Sequence, residues 1–511
     1  MIHITLAGFL LISVTLFVLF MNGDLLLPLT MFLAWFPATS VIDMRLAHGY
    51  IFGIAPGYFS ASIFLVKWVI GGKWKEVLSK ESNLRHYYPL LLFCFWGLFS
   101  AIVMPLIFHG KVFVEWPRNT DPNSPLTPLH LSMTNFSQSV YLVFLTILFI
   151  SITQSSEPIL IQMGIAYLLG GIFSGFLGIY QVVSWHLQLP FPGAFLYSNP
   201  VYAEGLQMVY STVGLRILRM TSAFPEASVA AQYFSGLMVS SIVALWWGNG
   251  RNVRDILPLA LSYIVLVFSF STTAFLLIIV ILSTSAILFI LTRQILKASF
   301  LVGLLTLYIS FLSLCPIGRG VAHDMVGEKT KDIEVQATFA FRKFVSKTIQ
   351  AHPPVISASP VINPSAGQRA QTTTSKPPVV SAPPVINPSA RGRVREDLNA
   401  LKNVVATYGL GVGWGSARSS SLLTNLLANG GIPGFLFFAW FLFSLFKRGR
   451  ESLISSALPK DKKRFMISLG AAVGMILGGL IAVPDFSVLC LWLLLALAAS
   501  VLDQAEVTSP I

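Results

Sequence analysis

The sequence predicts an all-α polytopic membrane protein, and three observations carry that prediction. Hydrophobic residues fill 55% of the 511 positions and charged residues only 11%, with a mean hydropathy of +0.74; soluble domains carry roughly 25% charged residues. Apolar runs close to the length that crosses a hydrocarbon core recur along most of the chain. Lysine and arginine collect in several of the short connections between those runs.

The candidate spans are 3–20, 25–43, 50–71, 88–108, 137–153, 159–183, 227–247, 256–271, 274–292, 297–315, 421–446, 465–483 and 486–502. They amount to about 12–14 transmembrane helices. The first run has no basic segment before it and no small-residue cleavage site after it, so it is expected to be a retained helix. The chain divides into N-terminal helices with a first outer loop (1–136) and central helices (137–315) that include an outer loop at 184–226. A large loop (316–420) and C-terminal helices (421–511) follow.

Four basic connections orient the body. Lys73, Lys75, Lys80 and Arg85 form one; Arg251 and Arg254 form the second; Arg293 and Lys297 flank the third. The fourth holds Lys447, Arg448, Arg450, Lys460, Lys462, Lys463 and Arg464. They fall on one side, which the positive-inside bias assigns to the cytoplasm. The loops 109–136, 184–226 and 316–420 are then expected outside. The same bias accounts for the net charge of +13 without a nucleic-acid partner.

Within the large loop, 352–392 is proline-rich and internally duplicated: Pro360-Val361-Ile362-Asn363-Pro364-Ser365-Ala366 recurs as Pro384-Val385-Ile386-Asn387-Pro388-Ser389-Ala390. Such a repeat supplies no periodic apolar face and is expected to be extended rather than packed. The flanks 332–350 and 394–407 have amphipathic helical patterns.

The chain lacks a phosphate-binding Walker loop, a nucleophile elbow and paired Cys or His at metal spacing. Cys94, Cys315 and Cys490 lie in or at the edge of apolar runs and read as small core residues. No metal or cofactor is expected. Lys67 lies near the end of its apolar run and is expected to snorkel to the membrane surface.

Two clusters on the expected outer face could carry chemistry. The first is Arg216-Ile217-Leu218-Arg219-Met220-Thr221-Ser222-Ala223-Phe224-Pro225-Glu226, which runs into an apolar helix. Pro225 and Glu226 suit a first helical turn, so Glu226 is either a helix cap or a functional carboxylate. Arg219 is suited to grip diphosphate oxygens bidentately. The second cluster is Tyr408-Gly409-Leu410-Gly411-Val412-Gly413-Trp414-Gly415-Ser416-Ala417-Arg418-Ser419-Ser420-Ser421, followed by Asn425, Asn429 and Gly430-Gly431-Ile432-Pro433-Gly434. Alternating glycines before a helix can expose backbone amides to an anion, or simply make a tight re-entry turn. Trp185, Tyr197, Tyr202 and Trp414 suit either an aromatic belt or sugar stacking, the latter most of all at Trp414.

Taken in order, the stretch Arg219-x-Thr221-Ser222-x-Phe224-Pro225-Glu226, the run Gly409-Leu410-Gly411-Val412-Gly413-Trp414-Gly415 and the pair Gly431-x-x-Gly434 resemble the O-antigen ligase/polymerase family of bacterial surface-polysaccharide assembly. The resemblance covers roughly 140–500 and implies a GT-C-like, metal-independent glycosyltransferase in the bacterial inner membrane, active on the periplasmic face. Its implied substrate is an oligosaccharide linked through diphosphate to a polyprenyl lipid. A chain-length regulator and other polysaccharide-assembly proteins are the implied partners.

The chain departs from the family twice. Where ligases usually carry a His followed by Asn, Ser or Gln, it has Ser420-Ser421, and Ser271-Thr272-Thr273 replaces a common Ser-Arg-Gly. Both departures favour a polymerase over a ligase; a flippase is the alternative from another class. The expected catalytic residues are Arg219, Glu226 and Arg418. Arg216, Arg395, Tyr408, Gly411, Gly413, Trp414, Ser420 and Asn425 are expected to bind substrate, and His186 or Tyr408 could replace Glu226 as the base.

Overall fold

The computed structural model describes residues 2–45, 51–75, 86–115, 126–201, 209–212, 215–247, 253–314, 388–454 and 459–508. The expected helix at 332–350, residues 352–387 of the proline-rich insert, Tyr202 and Cys315 lie outside them.

The chain is mostly helical, and among the described residues nine helices are long and apolar enough to cross a membrane. Three shorter apolar helices accompany them. This is a multi-pass membrane protein. Its helices are α1 (Leu6–Asn22), α2 (Leu26–Leu33), α3 (Pro56–Ile70), α4 (Tyr88–Ile107), α5 (Met133–Thr153) and α6 (Glu157–Leu187). After them come α7 (Ala227–Trp247), α8 (Val253–Phe268), α9 (Thr272–Leu291) and α10 (Ile295–Leu314). The C-terminal part adds α11 (Pro388–Ala406), α12 (Leu422–Ile454), α13 (Pro459–Ala482) and α14 (Leu489–Thr508).

The beginning of the chain differs from expectation. The second expected helix, 25–43, is helical only over Leu26–Leu33. Pro37 disfavours helix in the residue before it, and residues 34–41 run irregularly to a strand. Strand β1 (Ile2–Ile4) pairs antiparallel with β2 (Ile42–Arg45), which pairs with β3 (Ile51–Ile54). Since β1 precedes α1 and β2 follows α2, the chain must reverse between them. The reversal is the 3₁₀ turn Gly23–Leu25, where the side chain of Asn22 accepts the N–H of Asp24.

The centre of the body is α7, the most deeply buried of the long spans. It packs most extensively against α13. Gly474 makes the contact possible: a Cβ there would lie 2.5 Å from the carbonyl oxygen of Ser235. Small residues let helix backbones approach where lipid offers no hydrophobic drive to associate. The Ser235 hydroxyl then donates to the Gly474 carbonyl at 2.7 Å. On the other side, α6 brings Gly170 against Trp35 and Gly171 against Leu237.

Ser235 meets Gly474 and Gln232 meets Gly478, so α7 and α13 run antiparallel. The C-terminal end of α7 is capped by the ammonium of Lys297, which donates to the carbonyls of Leu245 at 2.6 Å and Trp246 at 3.3 Å. At that same end Arg448 pairs with Asp503 at 2.5 Å and Arg464 with Glu157 at 2.6 Å. The opposite end holds the β-strands and both sequence clusters.

Candidate functional site at the end where α7 and α12 begin

The two clusters are far apart in sequence but precede helices that start side by side. Gly479 shows this directly: a Cβ there would sit 3.1 Å from Nε2 of Gln232, near the start of α7, and 3.3 Å from Cδ2 of Leu422, the first residue of α12. Arg219 and Arg418 therefore belong to segments that converge on one end of the helical body.

The first segment enters through the hairpin of β6 (Val209–Thr212) and β7 (Leu215–Leu218), with Arg216 in register opposite Ser211. Past β7, Arg219 is half-buried and donates from Nε to the carbonyl oxygen of Ser269 at 3.2 Å. Ser269 begins the turn between α8 and α9, so Arg219 lies beside Ser271-Thr272-Thr273. The next residues are clamped from α6. Gln181 accepts from the N–H groups of Thr221 at 2.9 Å and Ser222 at 3.0 Å, and its Nε2 donates to the hydroxyls of Thr221 at 2.9 Å and Tyr197 at 3.0 Å. The clamp holds Ser222 at φ +56°, a left-handed conformation uncommon for a residue with a Cβ. Beyond it, Phe224 is fully buried against Trp35 and Tyr233. Glu226 emerges exposed just before α7, accepting from the Ser228 hydroxyl at 3.0 Å.

The glycine run is built differently from an open anion cradle. Tyr408 and Gly409, Gly411, Gly413 and Gly415 all have positive φ, which folds the run tightly onto its neighbours. A Cβ at Gly413 would lie 2.6 Å from the Ser100 carbonyl oxygen, and one at Gly431 would lie 2.3 Å from the Leu410 carbonyl carbon. Three successive amides are spent internally: Gly411 donates to the Thr407 hydroxyl at 3.0 Å, Val412 to Ala428 at 2.7 Å and Gly413 to Asn429 at 3.1 Å. Asn429 Oδ1 takes the N–H groups of Ser416 at 2.9 Å and Ala417 at 2.8 Å. From α5, Asn135 donates to the carbonyl of Trp414 at 2.8 Å.

These facts correct several sequence expectations. Gly411 and Gly413 interlock backbones and have no amide left to offer an anion. Trp414 is 5% exposed, with its ring edge-to-face against Phe93 and Phe486, so sugar stacking is closed to it in this arrangement. Asn425 bonds the Pro484 carbonyl and Asn429, tying α12 to the end of α13. Ser420 is buried and gives both its N–H, at 2.9 Å, and its hydroxyl, at 2.6 Å, to Asp397. Tyr408 stands 89% exposed at the tip. His186, at the end of α6, is exposed, with its Nδ1 2.9 Å from the carbonyl oxygen of Val182.

A charged layer covers the glycine run. Helix α11, which overlaps the expected amphipathic helix 394–407, packs on α12 and on β4 (Phe113–Val114), which pairs antiparallel with β5 (Thr127–Pro128). Glu115, just after β4, is nearly buried and accepts from Arg395 Nε at 3.1 Å and from Asn399 at 2.9 Å. Its backbone carbonyl takes the N–H of Arg418 at 3.1 Å. Arg418 Nε pairs with Glu396 at 3.2 Å while a third of its side chain remains exposed. Burial pushes the Glu396 carboxyl above its usual range, with Arg418 pulling against that and the nearby Glu115 carboxylate adding to it.

Family models, curated proteins and solved structures provide no match to this chain. The geometry therefore stands alone beside the sequence resemblance.

Sequence reasoning missed Gln181, Glu115 and Asp397. Gln181 sits in an apolar run, and a polar side chain there is a signal in itself, because a buried amide needs partners. Glu115 and Asp397 gave no local signal, since their partners are distant in sequence.

Proposed function

We propose that the chain polymerises polyprenyl-diphosphate-linked oligosaccharide units into exopolysaccharide or O-antigen, outside the cytoplasmic membrane of a bacterium. It would act as a membrane-embedded, metal-independent glycosyltransferase of GT-C type. The observation that carries the proposal is the convergence of the Arg219 and Arg418 segments where α7 and α12 begin, each segment braced from behind.

In this reaction a sugar hydroxyl of one lipid-linked unit attacks the anomeric carbon of another. A new glycosidic bond forms as the bond to the diphosphate breaks, and polyprenyl diphosphate leaves. Negative charge grows on the leaving diphosphate, where fixed cations stabilise the transition state most. Arg219 and Arg418 supply those cations. Glu226, which is exposed at the start of α7, takes the hydroxyl proton in this proposal. Arg395 holds Glu115 and so supports Arg418 rather than reaching substrate itself.

Deleting the gene and profiling surface polysaccharide alongside lipid-linked saccharides tests this reading. Single repeat units should accumulate on the outer leaflet while long polymer disappears. Polymer stranded at full length on its lipid carrier would instead mean a ligase, and units trapped on the cytoplasmic leaflet would mean transport. Complementation with Arg219→Ala or Arg418→Ala should lower polymer synthesis on the order of 10²–10³-fold. Full activity in both variants rejects the assignment.

A further inference from the structure

At the end of the body opposite the candidate site, α1 and α3 enclose a groove of about 400 Å³. Its walls are Leu19, Ile63, Phe64, Val66, Trp68 and Ile70, and its charged members are Asp24, Lys67 and Lys73. The cations thus outnumber the carboxylate. Lys67 is held in place: its Nζ pairs with Asp24 at 2.9 Å, and its stem lies over Gly23, where a Cβ would come within 2.5 Å of Nζ. Lys67 is still 39% exposed. Lys73 is exposed just past the end of α3, and the ammonium of Lys75 lies 5.7 Å over the ring of the half-exposed Trp74. An apolar groove with lysines at its edge has the layout of an amphiphile with an anionic head.

We propose that this groove binds one anionic glycerophospholipid. An acyl chain lies along the apolar walls and the phosphate sits between Lys67 and Lys73. Charge selects the occupant. Asp24 neutralises only one of the two lysines, so the mouth retains a positive excess that a headgroup with net negative charge satisfies. A zwitterionic headgroup brings its own cation to the same place and gains less. Lys67 also faces the carbonyl end of α3, whose partial negative charge would otherwise repel a phosphate.

The test is native mass spectrometry of the purified full-length protein, titrated with phosphatidylglycerol and with phosphatidylcholine of identical acyl chains. Wild type should retain phosphatidylglycerol about fivefold or more over phosphatidylcholine. Lys73→Gln, at an exposed position, should lower phosphatidylglycerol retention about fivefold and leave phosphatidylcholine unchanged. Leu19→Trp narrows the apolar wall, keeps both lysines and should weaken both lipids. Equal retention of the two lipids by wild type overturns the proposal, and so does an undiminished preference in Lys73→Gln. The wild-type comparison needs no variant to fold. None of these readouts depends on the reaction catalysed at the other end.

Discussion

The side-chain amide of Gln181 accepts the backbone N–H of Thr221 at 2.9 Å, two residues past Arg219. The same oxygen takes the N–H of Ser222, so one glutamine near the C-terminal end of an apolar helix sets the path of the segment carrying the arginine. Replacing it by leucine leaves both amides buried without an acceptor, at a cost of about 1–3 kcal/mol each. Gln181→Leu should lower the thermal unfolding midpoint of the purified protein clearly, and Gln181→Glu, which keeps an acceptor oxygen, should recover part of the loss. A midpoint unchanged in Gln181→Leu would show that the clamp contributes nothing.

Gly431 breaks α12 with φ +67° and presses against Leu410. Gly431→Ala should abolish the folded protein, because the backbone contact adds to roughly 1–3 kcal/mol of conformational strain. Gly303, in α10, has open space around it. Gly303→Ala should be neutral or stabilising by up to about 1 kcal/mol. Fluorescence-detected size exclusion of both variants reads the contrast.

Lys297 closes the C-terminal end of α7 with a charge where the helix dipole is negative. Lys297→Met removes that charge and should cost about 0.3–2 kcal/mol. Lys297→Arg should retain most of the stability. Heat denaturation followed by circular dichroism distinguishes them.

Glu396 gives a pH dependence with a definite sign. Its carboxyl is raised in the folded protein, chiefly by burial, so the fold binds that proton more tightly than the unfolded chain does. Its contribution to stability is therefore greatest below the unfolded carboxyl range and is lost as pH rises through the raised folded value. Glu396→Gln mimics the protonated form. It should be at least as stable as wild type at neutral pH, and the difference should vanish on acidification. A variant that is less stable at neutral pH and loses its deficit in acid would mean that the Arg418 pair outweighs burial.

The spans were legible because crossing lipid demands long apolar runs whatever the neighbours are. Even the tight pair at 256–292 separates into α8 and α9 around the Ser269–Ser271 turn. The return path after Gly23 was less legible, since residues 34–41 are apolar enough for a helix and only Pro37 hints otherwise. At the site, Arg219, Arg418 and the glycine run stood out by residue type, but their surroundings did not. Alternating glycines look the same in sequence whether their amides face a ligand or another backbone. Trp414 was misread for that reason, as its glycine neighbours suggest an open loop while Phe93 and Phe486 close over it. Glu115 finds Arg395 across 280 positions, a distance no local pattern spans. One available signal went unused: Gly470, Gly474 and Gly478 recur every fourth residue and mark a close helix contact.

That contact also imposes a schedule on synthesis. Ser235 on α7 and Gly474 on α13 are 239 residues apart, which corresponds to roughly 10–50 s of translation at about 5–20 residues per second. Throughout that interval α7, the least apolar of the nine long spans among the described residues, waits in the bilayer with its serine-bearing face uncovered. The helix that becomes the centre of the protein is thus among the last to find its main neighbour. A ribosome that stalls before α13 leaves behind a nearly complete chain whose core has not yet closed.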